Sequence, residues 1–365
     1  FTRSKLDNVM IKSLAWLLTF TVLLGACSTK SKDALFEKVD DSGISFTNTV
    51  VDDKDANIFK YRNFYNGAGV GIGDINNDGL VDVFFTANQG ANKLYLNKGN
   101  FKFEDISDKA GFGPKKQWST GVTMVDINND GWLDIYVSND FHEDDYYYIN
   151  QKDGTYKEGI RDHFKHLSRF SMGSDVADIN NDGFQDVMTL DMYPDDEKVE
   201  KSSVGEDPLD IYMYKLQFGY FNQYSRNCLQ LNMGGQKFSD IAASSGVAAT
   251  DWSWSTLMND YDGDGIKDIF ISNGILRRPN DLDYLKFVIG DSLHYGLPTS
   301  EKLDQEAIDL MPDGRVHNYI FKGAKDLRFV DKSLKWGFED KGVSNGSAYA
   351  DLDNDGDLDL VTNNL

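Results

Sequence analysis

Asp74-Ile75-Asn76-Asn77-Asp78-Gly79-Leu80-Val81-Asp82 is the first of five stretches of one form, Asp-x-Asn/Asp-x-Asp-Gly-x-x-Asp. The others run from Asp126 to Asp134, Asp178 to Asp186, Asp260 to Asp268 and Asp351 to Asp359. Their starts are separated by 52, 52, 82 and 91 residues. A unit of about 52 residues with two later insertions accounts for all four intervals, and that period suits propeller blades. Each stretch is followed by β-branched or aromatic residues, as in Val83-Phe84-Phe85 and Ile135-Tyr136-Val137, which favour strands.

Further landmarks travel with the loops. An aromatic followed by acidic positions recurs as Phe103-Glu104-Asp105, Tyr156-Lys157-Glu158, Phe238-Ser239-Asp240 and Phe329-Val330-Asp331. A strand-like run recurs as Asn92 to Asn97, Tyr146 to Asn150, Asn227 to Asn232 and Asn318 to Lys322. Five residues before each first aspartate stands Gly69, Gly121, Gly173, Ser255 or Gly346; seven before stands Gly67, Ser119, Ser171, Ser253 or Ser344. Positions two apart on a strand share a face, so this face is kept small, as innermost strands crowding a common axis require. The fold expected is all-β: a β-propeller of four-stranded blades, each loop joining two strands as a hairpin. Five blades are present, with insertions at 191–226 and 276–315 and an extra stretch around Asn48 to Tyr61 in the first unit.

The loops have the chemistry of calcium sites. Calcium takes roughly 6–8 oxygen ligands, and alternating carboxylates or amides supply them from a short loop. Asp74, Asn76, Asp78 and Asp82 offer side chains, with the backbone carbonyl of Leu80 between them. Asp126, Asn128, Asp130, Trp132 and Asp134 repeat the scheme, as do Asp178, Asn180, Asp182, Phe184 and Asp186. The fourth loop uses Asp260, Asp262, Asp264, Ile266 and Asp268; the fifth uses Asp351, Asp353, Asp355, Asp357 and Asp359. Up to five Ca2+ are expected. An EF-hand is excluded, because it needs glutamate at position twelve, and Phe85, Val137, Thr189, Ile271 and Thr362 stand there.

These loops, the small inner strand and the Phe-x-Asp landmark resemble the FG-GAP/VCBS repeats of integrin α-chain propellers. They resemble still more the repeats of bacterial lipoproteins that precede an ASPIC/UnbV domain, a group related to cartilage acidic protein. Tyr61-Arg62-Asn63-Phe64-Tyr65-Asn66-Gly67, Asp251-Trp252-Ser253-Trp254-Ser255 and Arg277-Arg278-Pro279-Asn280 carry that second likeness. It covers residues 36–365. Family propellers have seven or eight blades, so the chain reads as the N-terminal part of a longer protein and an open set of blades is expected. The resemblance implies a surface-exposed binding or adhesion module that meets protein or glycan through loops of a propeller face.

The chain's ends and composition fit an exported protein. Lys12 and the apolar run Leu14 to Leu24 form a signal peptide over 1–26, too short to span a bilayer comfortably. Residues 1–9 read as an upstream artefact before Met10. Leu24-Gly25-Ala26-Cys27 resembles a lipobox, making Cys27 the lipidated residue and 27–35 an anchor and linker. An outer membrane lipoprotein is expected, periplasm-facing or on the cell surface, held to the membrane by its N-terminal lipid only. The formal net charge of −22 argues against nucleic acid as a partner. Cys228, the other cysteine, reads as a buried strand residue.

Among the alternatives, a propeller-type polysaccharide lyase or other carbohydrate-active enzyme would need a metal and a base. His163 and His166 read instead as a surface pair, and no nucleophile motif appears, so catalysis is not expected. A structural spacer for a further C-terminal domain is a third reading. The aromatics of 191–226, among them Tyr193, Tyr212, Tyr214, Phe218, Tyr220, Phe221 and Tyr224, are candidates for a ligand surface, though most are expected to pack on neighbouring blades.

Overall fold

The chain divides into two compact units, Phe1–Ser42 and Gly43–Leu365. The computed structural model describes residues 37–57, 64–140, 143–295 and 301–365. The signal segment 1–26, Cys27, the linker and the start of the Tyr61 run thus lie outside the described residues. Residues 37–42 contain no helix or strand, and all helices and strands of the described residues belong to the second unit. Among the described residues no helix is long and apolar enough to cross a membrane.

Four-stranded antiparallel sheets repeat along the chain. The first orders β1 (Val70–Gly73), β2 (Asp82–Phe85), β3 (Lys93–Asn97) and β4 (Phe103–Asp105) side by side. The second repeats this with β5 (Ser119–Val125), β6 (Asp134–Asn139), β7 (Tyr146–Asn150) and β8 (Tyr156–Glu158). After β9 (Leu167–Ser168), the third sheet opens with β10 (Ser174–Ala177) and β11 (Asp186–Thr189). The chain then departs through β12 (Met192–Tyr193), helices α1 (Glu197–Ser202) and α2 (Leu209–Gln217), and β13 (Gln223–Tyr224), which pairs in parallel with β9. It returns to finish the sheet with β14 (Cys228–Asn232) and β15 (Phe238–Asp240).

The fourth sheet starts with β16 (Asp251–Asn259), on whose outer side β12 pairs, and β17 (Asp268–Asn273). A second excursion holds β18 (Ile275–Arg277), helices α3 (Leu282–Tyr295) and α4 (Glu301–Leu310), and β19 (Asp313–Gly314). β20 (Tyr319–Gly323) and β21 (Phe329–Asp331) complete that sheet, and β22 (Ser344–Ala350) pairs with β23 (Asp359–Asn364) as a last hairpin. These sheets are propeller-like blades, and the aromatic-acid landmark is their outermost strand. Its acid caps the next turn: Asp105, Glu158, Asp240 and Asp331 each accept from the backbone N–H two residues on, at 2.7–2.9 Å.

Packing between successive sheets explains the strand sequences. All six residues of β6 and of β17 are buried, so both faces of these strands are covered. Phe84, Leu94 and Ile106 of the first blade join Ile135, Val137 and Tyr148 of the second in one apolar cluster. Ile127, Tyr136 and Tyr147 of the second blade meet Val187 and Phe238 of the third. Met188 and Leu229 of the third meet Ile269, Ile271 and Phe321 of the fourth. Each such side chain, fully buried, contributes about 1.5–3 kcal/mol by transfer from water.

The first strands β1, β5, β10, β16 and β22 adjoin one another in that order. Their small residues let the backbones close up at some positions and not at others. A Cβ on Gly69 would stand 3.1 Å from Val122 N, and one on Gly173 would overlap the carbonyl oxygen of Trp254. A Cβ on Gly121 would make only ordinary contact, and Gly346 has nothing within 4 Å. Crowding therefore explains two of these four glycines. Small hydroxyls also bridge blades: Thr120 Oγ1 donates to Ser171 O at 2.6 Å, and Ser255 Oγ lies 2.8 Å from Ser347 Oγ.

The aromatics of the first excursion divide. Tyr193 bonds Glu200, and Tyr212 stacks beside Tyr224 while donating to Asn222. Phe221 receives the Arg161 guanidinium over its ring. Tyr214, Phe218 and Tyr220 instead project, on or just after an α2 that buries none of its residues. The two excursions are tied together where Val204 N donates to Asn280 O at 2.9 Å. Arg278 grips the buried Asp251 with both terminal nitrogens, at 2.9 and 2.8 Å.

Candidate metal centres

Each aspartate loop joins the first and second strand of a blade, and all five close in one register. Gly73, Val125, Ala177, Asn259 and Ala350 pair with Asp82, Asp134, Asp186, Asp268 and Asp359. The first aspartate gathers the turn. In the first loop Asp74 accepts from the backbone N–H of Asp78 at 3.2 Å and of Gly79 at 2.7 Å. Asp126, Asp178, Asp260 and Asp351 make the same two contacts. The fifth-position aspartate then accepts from the N–H of Leu80, Trp132, Phe184, Ile266 or Asp357 at 2.8–3.1 Å.

Two residues per loop take left-handed backbone. The sixth-position glycine has φ between 83° and 97°, where a Cβ is disfavoured. The fourth position, Asn77, Asn129, Asn181, Gly263 or Asn354, has φ between 57° and 70°. Sequence reasoning treated that position as a spacer, yet it is always asparagine or glycine, the residues that tolerate this conformation. It also links loops: Asn77 Nδ2 donates to Gly131 O at 3.0 Å, and Asn181 Nδ2 to Gly265 O at 2.9 Å.

The ninth-position aspartate differs from the other acids of the loop. Asp82, Asp134, Asp186 and Asp268 are wholly buried. One oxygen of each accepts from the end of the third strand: Asn97 N, Asn150 N, Asn232 N or Gly323 N, at 2.7–2.9 Å. The other accepts from the loop's second residue in the first, third and fourth loops, at 3.0 Å. Burial, reinforced by loop carboxylates such as Asp130, pushes Asp134 up to about 6 despite its backbone donors. Asp186 rises to about 7 for the same reason, with Asp182 and Asp178 adding to it. This side chain is therefore a buried brace between hairpin and third strand as well as a candidate ligand.

The donor set fits a hard divalent cation. Carboxylate oxygens of Asp260, Asp262 and Asp268 lie within 4.8 Å of one another, as do those of Asp351, Asp353 and Asp355. In the second loop Asn128 Oδ1 is sealed from solvent with no hydrogen-bond partner among the described residues. A buried acceptor left unpaired costs about 1–3 kcal/mol, and a cation held by Asp126 and Asp130 would satisfy it. In the first and third loops the third-position amide turns its nitrogen to the fifth-position carboxylate: Asn76 to Asp78 at 3.0 Å, Asn180 to Asp182 at 2.9 Å.

Two loops hold a lysine: in the second, Lys152 Nζ lies 3.4 Å from Asp130 Oδ2, and in the fourth a lysine meets two carboxylates at once. Lys322 Nζ pairs with Asp262 and lies 2.7 Å from Asp264, which it holds below the usual carboxylate range. Lys322 stands where the other third strands carry Leu96, Ile149 and Leu231.

The histidines are not the surface pair expected. His166 Nε2 lies 2.8 Å from Asp240 Oδ2, an oxygen that Arg226 Nη1 also approaches at 2.8 Å, and only 17% of the His166 side chain is exposed. Cys228 Sγ lies within 4.8 Å of a ring nitrogen of His166 and a carboxylate oxygen of Asp240. Arg226 pairs with the same carboxylate, and burial pushes the Cys228 thiol well up, which disfavours a thiolate in this cluster.

A profile for FG-GAP-like repeats matches residues 74–137 and 126–189, which contain the first three loops. Cartilage acidic protein 1 of Xenopus tropicalis is 26% identical over 208 residues, 57% of this chain and 29% of that protein. The Homo sapiens cartilage acidic protein 1 is 25% identical over 224 residues, 60% of this chain and 30% of its own length. That of Mus musculus is 37% identical over 73 residues, 20% of this chain and 11% of its own. The chain thus spans under a third of the length of these relatives. It carries FG-GAP-like repeats, matched by profile at the first three of its five loops, and is similar in sequence to part of cartilage acidic protein 1.

Proposed function

We propose that this chain is a calcium-stabilised extracytoplasmic binding module. Five aspartate loops hold Ca2+ as staples, and ligand is met elsewhere on the blades. The observation that carries the metal reading is the repeated donor set: carboxylates converging within 4.8 Å in two loops and a sealed, unpartnered Asn128 oxygen in another. Asp74, Asn76, Asp78 and Asp82 would hold the first ion with the carbonyl of Leu80, and the same positions would serve in the other four loops. A bound divalent charge would favour ionised carboxylates where burial now opposes them. FG-GAP repeats support an extracellular binding or adhesion role. Anchorage through a lipidated Cys27 at the outer membrane, and a protein or glycan as ligand, extend that reading to this chain.

Lys322 engages two loop carboxylates where Lys152 engages one at the longer distance of 3.4 Å, which makes the fourth loop the weakest site. Chelator-competition titration of the full chain should therefore show several tight calcium equivalents and one weaker. Lys322→Leu, which restores the residue type of the other blades, should tighten that equivalent by roughly tenfold, the scale of one charge-assisted contact. Uniform affinities unchanged by Lys322→Leu would refute the assignment, and no calcium bound at all would refute the metal reading.

A further inference from the structure

At the end of the strands opposite the aspartate loops, between the first two blades, lies a cavity of about 830 Å3. Asn88 and Gln89 line it beyond β2, Trp118 just before β5, and Asp140 and Glu143 beyond β6, while Tyr220 reaches it from the first excursion. A second hollow of about 280 Å3 shares Glu143 and Tyr220 and adds Phe218, Arg161 and Asp144. We infer that this pair of hollows binds a short neutral oligosaccharide. The inference rests on the binding-module reading and names its ligand site.

The size falls in the range of about 300–1,000 Å3 usual for small-ligand sites, and the hollow is concave where a protein partner needs a broad face. The walls are held in place before any ligand arrives. Gln89 clamps the 49–56 segment at both polar atoms, accepting from Val51 N at 2.6 Å and donating to Val51 O at 3.1 Å. Asn88 exchanges hydrogen bonds with Asn48 at 2.7 and 3.1 Å. Glu143 accepts from Trp118 N at 2.8 Å, while its own carbonyl accepts from Gln223 Nε2 at 2.8 Å. The Trp118 ring leans on the buried Phe64, centroids 5.2 Å apart. Such second contacts fix a site's geometry.

The chemistry points to a sugar. Aromatic faces of Trp118 and Tyr220 share the lining with the carboxylates of Asp140 and Glu143 and the amides of Asn88 and Gln89. A pyranose offers both counterparts: an apolar C–H face to stack on a ring, and neighbouring hydroxyls that pair with a carboxylate or an amide. The ionic groups argue against an anionic ligand: Asp53, Asp140 and Glu143 stand against Lys116 alone in the larger hollow. Arg161 and Asp144 pair at 2.5 Å, Lys115 Nζ meets the Tyr146 hydroxyl, and acids and bases stand on the same walls.

The test is an array of neutral, uronate-bearing and sulfated glycans probed with the full chain in calcium, with melting temperature followed in parallel. Binding should fall on neutral oligosaccharides and drop at least tenfold in Trp118→Ala and in Tyr220→Ala. Tyr220 is 40% exposed, so Tyr220→Ala is expected to fold, which the melting temperature checks, and it keeps the test decisive if Trp118→Ala does not. Both variants should keep the calcium-dependent rise in melting temperature. No neutral glycan bound, binding confined to anionic glycans, or binding unchanged in both variants would overturn the inference. A calcium shift that persists without glycan binding rejects the cavity alone; loss of the shift with glycan binding intact rejects the metal reading alone.

Discussion

Asp134→Ala destabilises the protein by about 3–5 kcal/mol already in EGTA, and by more in calcium where a ligand is lost as well, because it strands several buried donors at about 1–3 kcal/mol each. Asp134 is wholly buried; it accepts from Asn150 N at 2.9 Å and from the Tyr147 hydroxyl at 3.1 Å. Asp78→Asn should behave in the opposite way. Asp78 is exposed, and the amide keeps an oxygen for Leu80 N, now bonded at 2.8 Å. Its stability in EGTA should stay within about 0.5 kcal/mol of the wild type, since only the exposed contact from Asn76 Nδ2 loses its acceptor, and the calcium-dependent increment should shrink. Urea unfolding midpoints of the two variants, each with and without calcium, separate brace from ligand. A loss below about 1 kcal/mol for Asp134→Ala in EGTA, less than one stranded donor costs, would refute the brace.

The second large effect belongs to the inner strands. A side chain at Gly173 meets the carbonyl of Trp254 on the next blade, a backbone atom that cannot swing aside. Gly173→Val should cost at least about 2–3 kcal/mol, the upper range for overpacking a close contact. Gly346, at the corresponding place before the fifth loop, has nothing within 4 Å. Gly346→Val should stay within about 0.5 kcal/mol, as surface changes do. Equal melting temperatures for the two valine variants would show that inner-strand crowding does not limit this fold.

The repeat itself was legible because its signals are local. Glycine at position six, alternating acids and the β-branched run after them all lie within a dozen residues, and the structure turns each into the same hairpin. The helical pattern around Leu282 to Ile289 and Glu301 to Leu310 is local in the same way, and helices span Leu282–Tyr295 and Glu301–Leu310. What escaped was set by distant partners. The ninth aspartate looked like one ligand among five, and only the approach of Asn150 or Asn232 from the third strand shows it as a brace. Lys322 lies 58 residues from Asp264, and His166 lies 74 from Asp240, so neither pairing has a spacing to recognise. The cavity joins Val51, Trp118 and Tyr220, residues that share no motif. The fourth-position asparagine is the exception: its signal was present in all but one loop and was passed over because it carries no ligand role.

Thermal unfolding of the full chain in EGTA and in millimolar calcium, with bound metal counted by mass spectrometry, tests the central claim most directly. Several calcium ions per chain and a melting temperature that rises with free calcium are predicted, since an ion bound only by the native state stabilises by about 2.7 kcal/mol at a hundredfold excess over Kd. No bound calcium and no change in melting temperature would contradict the account, leaving the five loops as hydrogen-bonded turns.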